Sequence, residues 1–219
     1  MYAFLDYLIH YGIPGMKWGV RKIDKGSNLG RVTANKHSAS KITKNDRYFY
    51  TNVDKQKYEG IYAKRMKQHG AKNVYAQRIT NKEALYVASN KQARRVLRRS
   101  MRDKNFRKQA SKAVDEYTYN TPITYLSPEY NRIFTKASRD LKRGKASKEA
   151  YEAINYMMIN KSDAARKLNK EYDKALIKAG YDAIVDYNDT KLSGFNTKDS
   201  LIIVNKGKLT VEKYDKLKI

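Results

Sequence analysis

The chain has 219 residues, 41 % of them apolar and 32 % charged, with 47 Lys and Arg against 22 Asp and Glu for a formal net charge of +25. That length accommodates one domain of about 160 to 175 residues plus an arm, and 19 tyrosines, each able to bury its ring while keeping its hydroxyl wet, argue against a disordered chain. The absence of cysteine excludes a disulfide framework and thiolate chemistry, while so strong a positive field draws polyanions, nucleic acid first.

The chain opens with MYAFLDYLI, an apolar run of about nine residues that is interrupted by Asp6 and has no basic segment before it. It therefore reads as neither a signal peptide nor a membrane span, and a soluble protein without a membrane partner is expected. HYGIPGMKWGVRK, residues 10 to 22, concentrates glycines, Pro14, the single Trp18 and three cations. Physically it reads as a docking peptide: Met16 and Trp18 suit an apolar pocket, Gly12 and Gly15 permit close backbone approach, and Lys17, Arg21 and Lys22 can rim the pocket. The competing reading is that Trp18 folds back onto its own domain. The following stretch, IDKGSNLGRVTANKHSASKITKN, is polar, basic and free of apolar periodicity, as a linker would be. Residues 1–46 are accordingly expected to form a basic arm that does not join the core.

From residue 47 the patterns become structural. RYFYT at 47–51 predicts a short strand, and VDKQKYEGIYAKRMKQHG predicts a helix or turn ending at Gly70. NVYAQRITNKEALYVA, 73–88, alternates as two short strands, with Val74, Ala76 and Arg78 on one face and Tyr75, Gln77 and Ile79 on the other. Ser89 and Asn90 supply cap chemistry for an amphipathic helix carrying Ala93, Val96, Leu97, Met101, Ala110, Ala113 and Val114, with a break near Asp103. TPITYLSP separates it from a helix with Tyr130, Ile133, Phe134, Ala137 and Leu141 on one face, stopped by Gly144. A third helical region covers 147–179 and stops at Gly180; YDAIVDYN, SLIIV and KLTVEKYDK then read as strands. The order predicts an α+β domain over 47–219: a small, mostly antiparallel sheet with several packed helices, preceded by the extended N-terminal arm.

Arg94, Arg98 and Arg102 recur at four-residue steps with Arg95 and Arg99 on the next ridge, which places five guanidinium groups on one helix face. Lys91, Lys104, Arg107, Lys108 and Lys112 extend the run against Asp103 alone. Such density is tolerated best when a polyanion neutralises it, so the five arginines are candidate phosphate contacts without base specificity. A solvated helix face explains the same run equally well. His10, His37 and His69 have no paired carboxylate spacing, so no metal is expected. GIPG and GSNLG lack the strand and helix context of a phosphate-binding loop. Ser89 and Ser100 read as a helix cap and a helix-surface residue, and Asp182, Asp186 and Asp189 as strand-end and turn residues.

Two resemblances add to this. HYGIPGMKWGVRK, with His10, Gly12, Gly15, Met16, Lys17, Trp18, Gly19, Val20 and Arg21 in place, resembles a short motif of tailed-phage virion proteins, among them minor capsid and head-morphogenesis proteins. The resemblance implies a location in the virion, with the host cytoplasm as the place of assembly, and partners among other virion proteins of the capsid or portal region, besides non-specific DNA. It also implies that His10, Gly12, Gly15, Met16, Lys17, Trp18 and Arg21 carry the docking. The body, from DRYFYTNVDKQKYEGIYAKR through VYAQRITNKEALYVAS to GYDAIVDYND and SLIIVN, is similar in element order to the ADP-ribosyltransferase-like domains of phage and polyvalent proteins. That similarity implies NAD as cofactor if the chain is an enzyme, with Asp186 and Asp199 as its candidate catalytic acids. The late strand begins Lys198, Asp199, Ser200, without the Glu of that family, which implies a transferase-like fold without catalysis and no cofactor. The first reading is thus a virion-associated binding protein, the second an ADP-ribosyltransferase effector carried in the virion. A host ribosome- or RNA-binding protein accounts for the charge and leaves the opening motif without explanation.

Overall fold

A computed structural model describes residues 21–33, 47–51, 55–68, 70–120, 128–158, 162–186 and 200–217. Among them are eight strands, β1 (Arg21–Ile23), β2 (Asn28–Thr33), β3 (Tyr48–Thr51), β4 (Tyr75–Asn81), β5 (Leu85–Ala88), β6 (Ala183–Val185), β7 (Ser200–Ile203) and β8 (Leu209–Lys216). The described helices are α1 (Lys55–Gln68), α2 (Asn90–Ser100), α3 (Lys104–Asn120), α4 (Pro128–Lys142), α5 (Lys148–Met157) and α6 (Asp163–Lys178). The class is α+β, as expected.

The strands hydrogen-bond in the order β1-β5-β6-β7-β3-β2-β4-β8, and β5 with β6 is the parallel pair among antiparallel ones. This order cannot lie flat. Strands β4 and β5 stand five places apart, about 24 Å in a flat sheet, yet the three residues between them reach at most about 14 Å. The sheet therefore folds over, and Ile23, Leu29, Ile79, Leu85, Val87, Ala183, Leu201, Ile203 and Leu209 form one cluster between its halves. Asn81 fastens the fold: its Nδ2 donates to the carbonyls of Asp24 and Glu83, both at 2.7 Å, and its own carbonyl accepts from the Gly26 amide at 3.0 Å.

The outer faces carry the helices. Ala88, Ile184, Ile202 and Val204 of the sheet meet apolar residues of α2 to α6 in the largest cluster, where Tyr172 is fully buried and donates its hydroxyl to the Ala93 carbonyl at 2.8 Å. On the other half, Val32, Ala63 and Val74 bury α1 against the sheet, and the Arg78 guanidinium holds Glu59 of α1 and Asp215 of β8. Val74 and Arg78 thus face α1 while Ile79 faces the inner cluster, the alternation read from the sequence.

Most helix limits follow local chemistry. Ser89 caps α2 in a reciprocal box with Gln92, the chain breaks over Met101–Asp103, and Asp103 accepts the Phe106 amide at 2.7 Å to start α3. Gly70, Gly144 and Gly180 adopt positive φ just past α1, α4 and α6. The single helical region expected over 147–179 is two helices, because Ser162 starts a new one by accepting the Ala165 amide.

The arm requires a correction. Residues 21–33 are not a linker: β1 pairs with β5 and β2 pairs with both β3 and β4, burying Ile23, Leu29 and Val32. The domain starts by Arg21, so a boundary at 46/47 does not hold for these strands. Their apolar residues are spaced among glycines and cations, so no continuous alternation marks them. Residues 1–20 lie outside the described residues, and with them His10, Gly12, Gly15, Met16, Lys17 and Trp18 of the docking motif. Arg21 is the first residue of β1. No described helix is long and apolar enough to cross a membrane.

Candidate nucleic-acid interface

Helix α2 buries Ala93, Val96 and Leu97, and the opposite side carries Arg95, Arg98, Arg99 and, just past the helix, Arg102, all exposed, with Lys91 beside them. The inward face is set by the three apolar residues, which leaves the guanidinium groups no direction but solvent. Arg94 departs from the expected set of five. It is half-buried and donates its Nε to the Ala146 carbonyl at 3.0 Å, because its position borders the buried stripe and the α4–α5 connection passes there.

The connection is held from a second side. Gly144 has φ of +72°, and the Arg107 side chain of α3 lies where a Cβ would project, with Nη1 at 3.3 Å and Cδ at 3.4 Å. Next to it, Lys104, Arg107, Lys108 and Lys112 of α3 face Lys142 and Arg143 across a groove of about 950 Å³. Its two acids are already paired. Asp115 accepts from Ser138 at 2.5 Å and Ser111 at 3.3 Å and meets Lys142 at 3.1 Å; Glu116 meets Lys112 at 3.4 Å. The sequence pattern shows Lys104, Arg107, Lys108 and Lys112 as an extension of the arginine run, and it does not reveal Lys142 and Arg143 as their neighbours, since these arrive from a different helix. The signal for them is the run KRGKASK at 142–148.

The acids of the enzyme reading lie elsewhere. Asp186 follows β6 and is 1 % exposed; its amide donates to the Ser200 carbonyl at 2.9 Å. Nearby, the Tyr151 hydroxyl donates to Asn90 Oδ1 at 3.1 Å and accepts from Asn155 Nδ2 at 3.3 Å. Burial pushes the Tyr151 phenol well up, with the Asp186 charge adding to it. Asp182 is a structural joint: it accepts the Tyr86 amide at 3.0 Å, Asn205 Nδ2 at 2.8 Å and Lys208 Nζ at 3.1 Å. Asp189 and Asp199 lie outside the described residues. Arg47 pairs with Asp173 of α6, whose carboxyl is raised by burial although Arg47 pulls it down. Among the described residues no group of three or more His, Asp or Glu is placed to hold a metal ion.

One further placement matters. Arg21 pairs with Val87 and Ile23 with Leu85 in antiparallel register, so the N-terminal end of β1 lies beside the C-terminal end of β5. That is the end where Ser89 opens α2. A family model described as a family of unknown function (DUF7211) matches residues 3–25, a span that takes in residues 10–22 and β1. No curated protein and no solved structure matches the chain.

Proposed function

We propose that this protein is a virion-associated structural protein of a tailed phage, a minor capsid or internal head protein. It is anchored through residues 10–22 on another virion protein and contacts packaged DNA through its basic surface. The observation that carries the reading is the register of β1 on β5. It brings the chain out of the docking motif beside the start of α2, and Trp18 is three residues, at most about 10 Å of chain, from Arg21. This supports residues 10–22 as a segment that leads directly into the folded domain. The resemblance of HYGIPGMKWGVRK supplies the phage context, and the match of a family model to residues 3–25 supports that stretch as a unit of its own.

The test is particle assembly with Trp18→Ala. A buried aromatic anchor contributes about 2 kcal/mol or more to an interface, so the variant folds as the parent does and is depleted from purified particles by roughly tenfold or more. Incorporation at the parent level would remove the anchoring half of the proposal.

A further inference from the structure

We infer that the groove between α3 and the α4–α5 connection is a phosphate track for double-stranded DNA, continuous in sequence with the arginine face of α2; this rests on the DNA contact proposed above and deepens it. Six cations line the groove, and its two acids, Asp115 and Glu116, are each already neutralised. Among the described residues Lys104, Lys108 and Arg143 are exposed cations with no acidic partner. Three unpaired like charges converging on one concave surface repel one another unless an anion lies between them.

The chemistry of the lining narrows the ligand. Apart from Leu141, which is fully buried, the groove is lined by Lys, Arg, Asn, Ser, Asp, Glu and Gly, with no aromatic ring. A single strand is held largely by stacking its bases on aromatic side chains, and a protein partner by apolar or aromatic anchors in pockets. This groove offers neither, only point charges and short donors, the chemistry that contacts backbone phosphates without reading bases. The connection is also built to hold its shape: Arg94 fixes the Ala146 carbonyl and Arg107 lies over Gly144, so Arg143 is presented from a braced turn. Arg94 and Arg107 are positioning residues, and Lys104, Lys108 and Arg143 are the contacts.

The test uses the full chain and a mixed-sequence 20-base-pair duplex titrated at several salt concentrations. Two triple variants are compared with the parent: Lys104→Gln, Lys108→Gln, Arg143→Gln in the groove, and Lys167→Gln, Lys170→Gln, Lys178→Gln on the exposed side of α6, which removes the same charge from residues that do not line the groove. Each phosphate that is no longer neutralised lowers the slope of log K against log salt by about 0.9, so the groove triple reduces the slope by about 2 to 3 and the α6 triple keeps it. Equal slopes for the two triples, with steep salt dependence in the parent, overturn the groove while leaving DNA contact through α2 standing. A parent without salt-dependent duplex binding overturns both. Tighter binding of a single-stranded 20-mer than of the duplex also overturns the groove as a duplex track.

Discussion

Glu149 shows how one side chain links sequence to stability here. It sits in the first turn of α5 and meets Lys136 of α4 at 2.7 Å, and the Lys136 hydrogen bond holds its carboxyl below the ordinary 4.5. A lowered carboxyl stabilises the fold above about pH 4.5, and that contribution is lost as pH falls through the lowered value. Lys136 is half-exposed, which limits the pair to about 0.5–1 kcal/mol. Thermal unfolding of Glu149→Gln is expected to show that loss at pH 7 and to converge on the parent as pH falls below the lowered value. Asp173 has the opposite sign: burial raises it above 3.8, so its contribution is greatest below that pH and falls as pH rises through the folded value. The acids of the enzyme reading lead to a separate expectation. With Arg47 engaged by Asp173 and Asp186 buried, the chain incubated with labelled NAD and host lysate is expected to transfer no label. Labelling that disappears in Asp186→Asn would promote the transferase reading.

At the scale of elements, the α4–α5 connection is the sharpest case. Gly144 combines a left-handed backbone with an Arg107 side chain 3.3 Å from where a Cβ would stand, so Gly144→Ala strains the conformation and presses the guanidinium back slightly. A loss of about 1 kcal/mol or more in chemical unfolding is expected, together with weaker duplex binding; an unchanged midpoint would show that the turn relaxes freely. Sequence reveals the elements whose signals are local. Ser89, Gly70, Gly144 and Gly180, and the apolar stripe of α4 each carry their own physical instruction, and each stands where its residues predict. Strands β1 and β2 escape such a reading because what buries Ile23, Leu29 and Val32 is a sheet assembled from distant parts of the chain, Leu209 among them. The same distance hides half the groove. Lys104 and Lys108 lie in a visible run, whereas Arg143 becomes their neighbour only when α3 packs on α4, and Arg94 leaves the arginine face because of a carbonyl in that same connection.

For the whole molecule, the fold-over of the sheet organises everything else. It puts β1 beside β5, so that Arg21 enters the sheet at the end where α2 begins, and leaves α2 to α6 together on one outer face. The positive surface of that helical layer can be measured on the chain by itself. The decisive measurement is the salt dependence of duplex binding by the full chain and by the variant Arg95→Gln, Arg98→Gln, Arg99→Gln, Arg102→Gln. The parent is expected to bind duplex independently of sequence, with log K falling linearly in log salt by about 0.9 per phosphate neutralised, and the variant to show a slope smaller by about 3 to 4. An unaltered slope in the variant, or no duplex binding by the parent, would contradict this and leave the arginine face as a solvated surface.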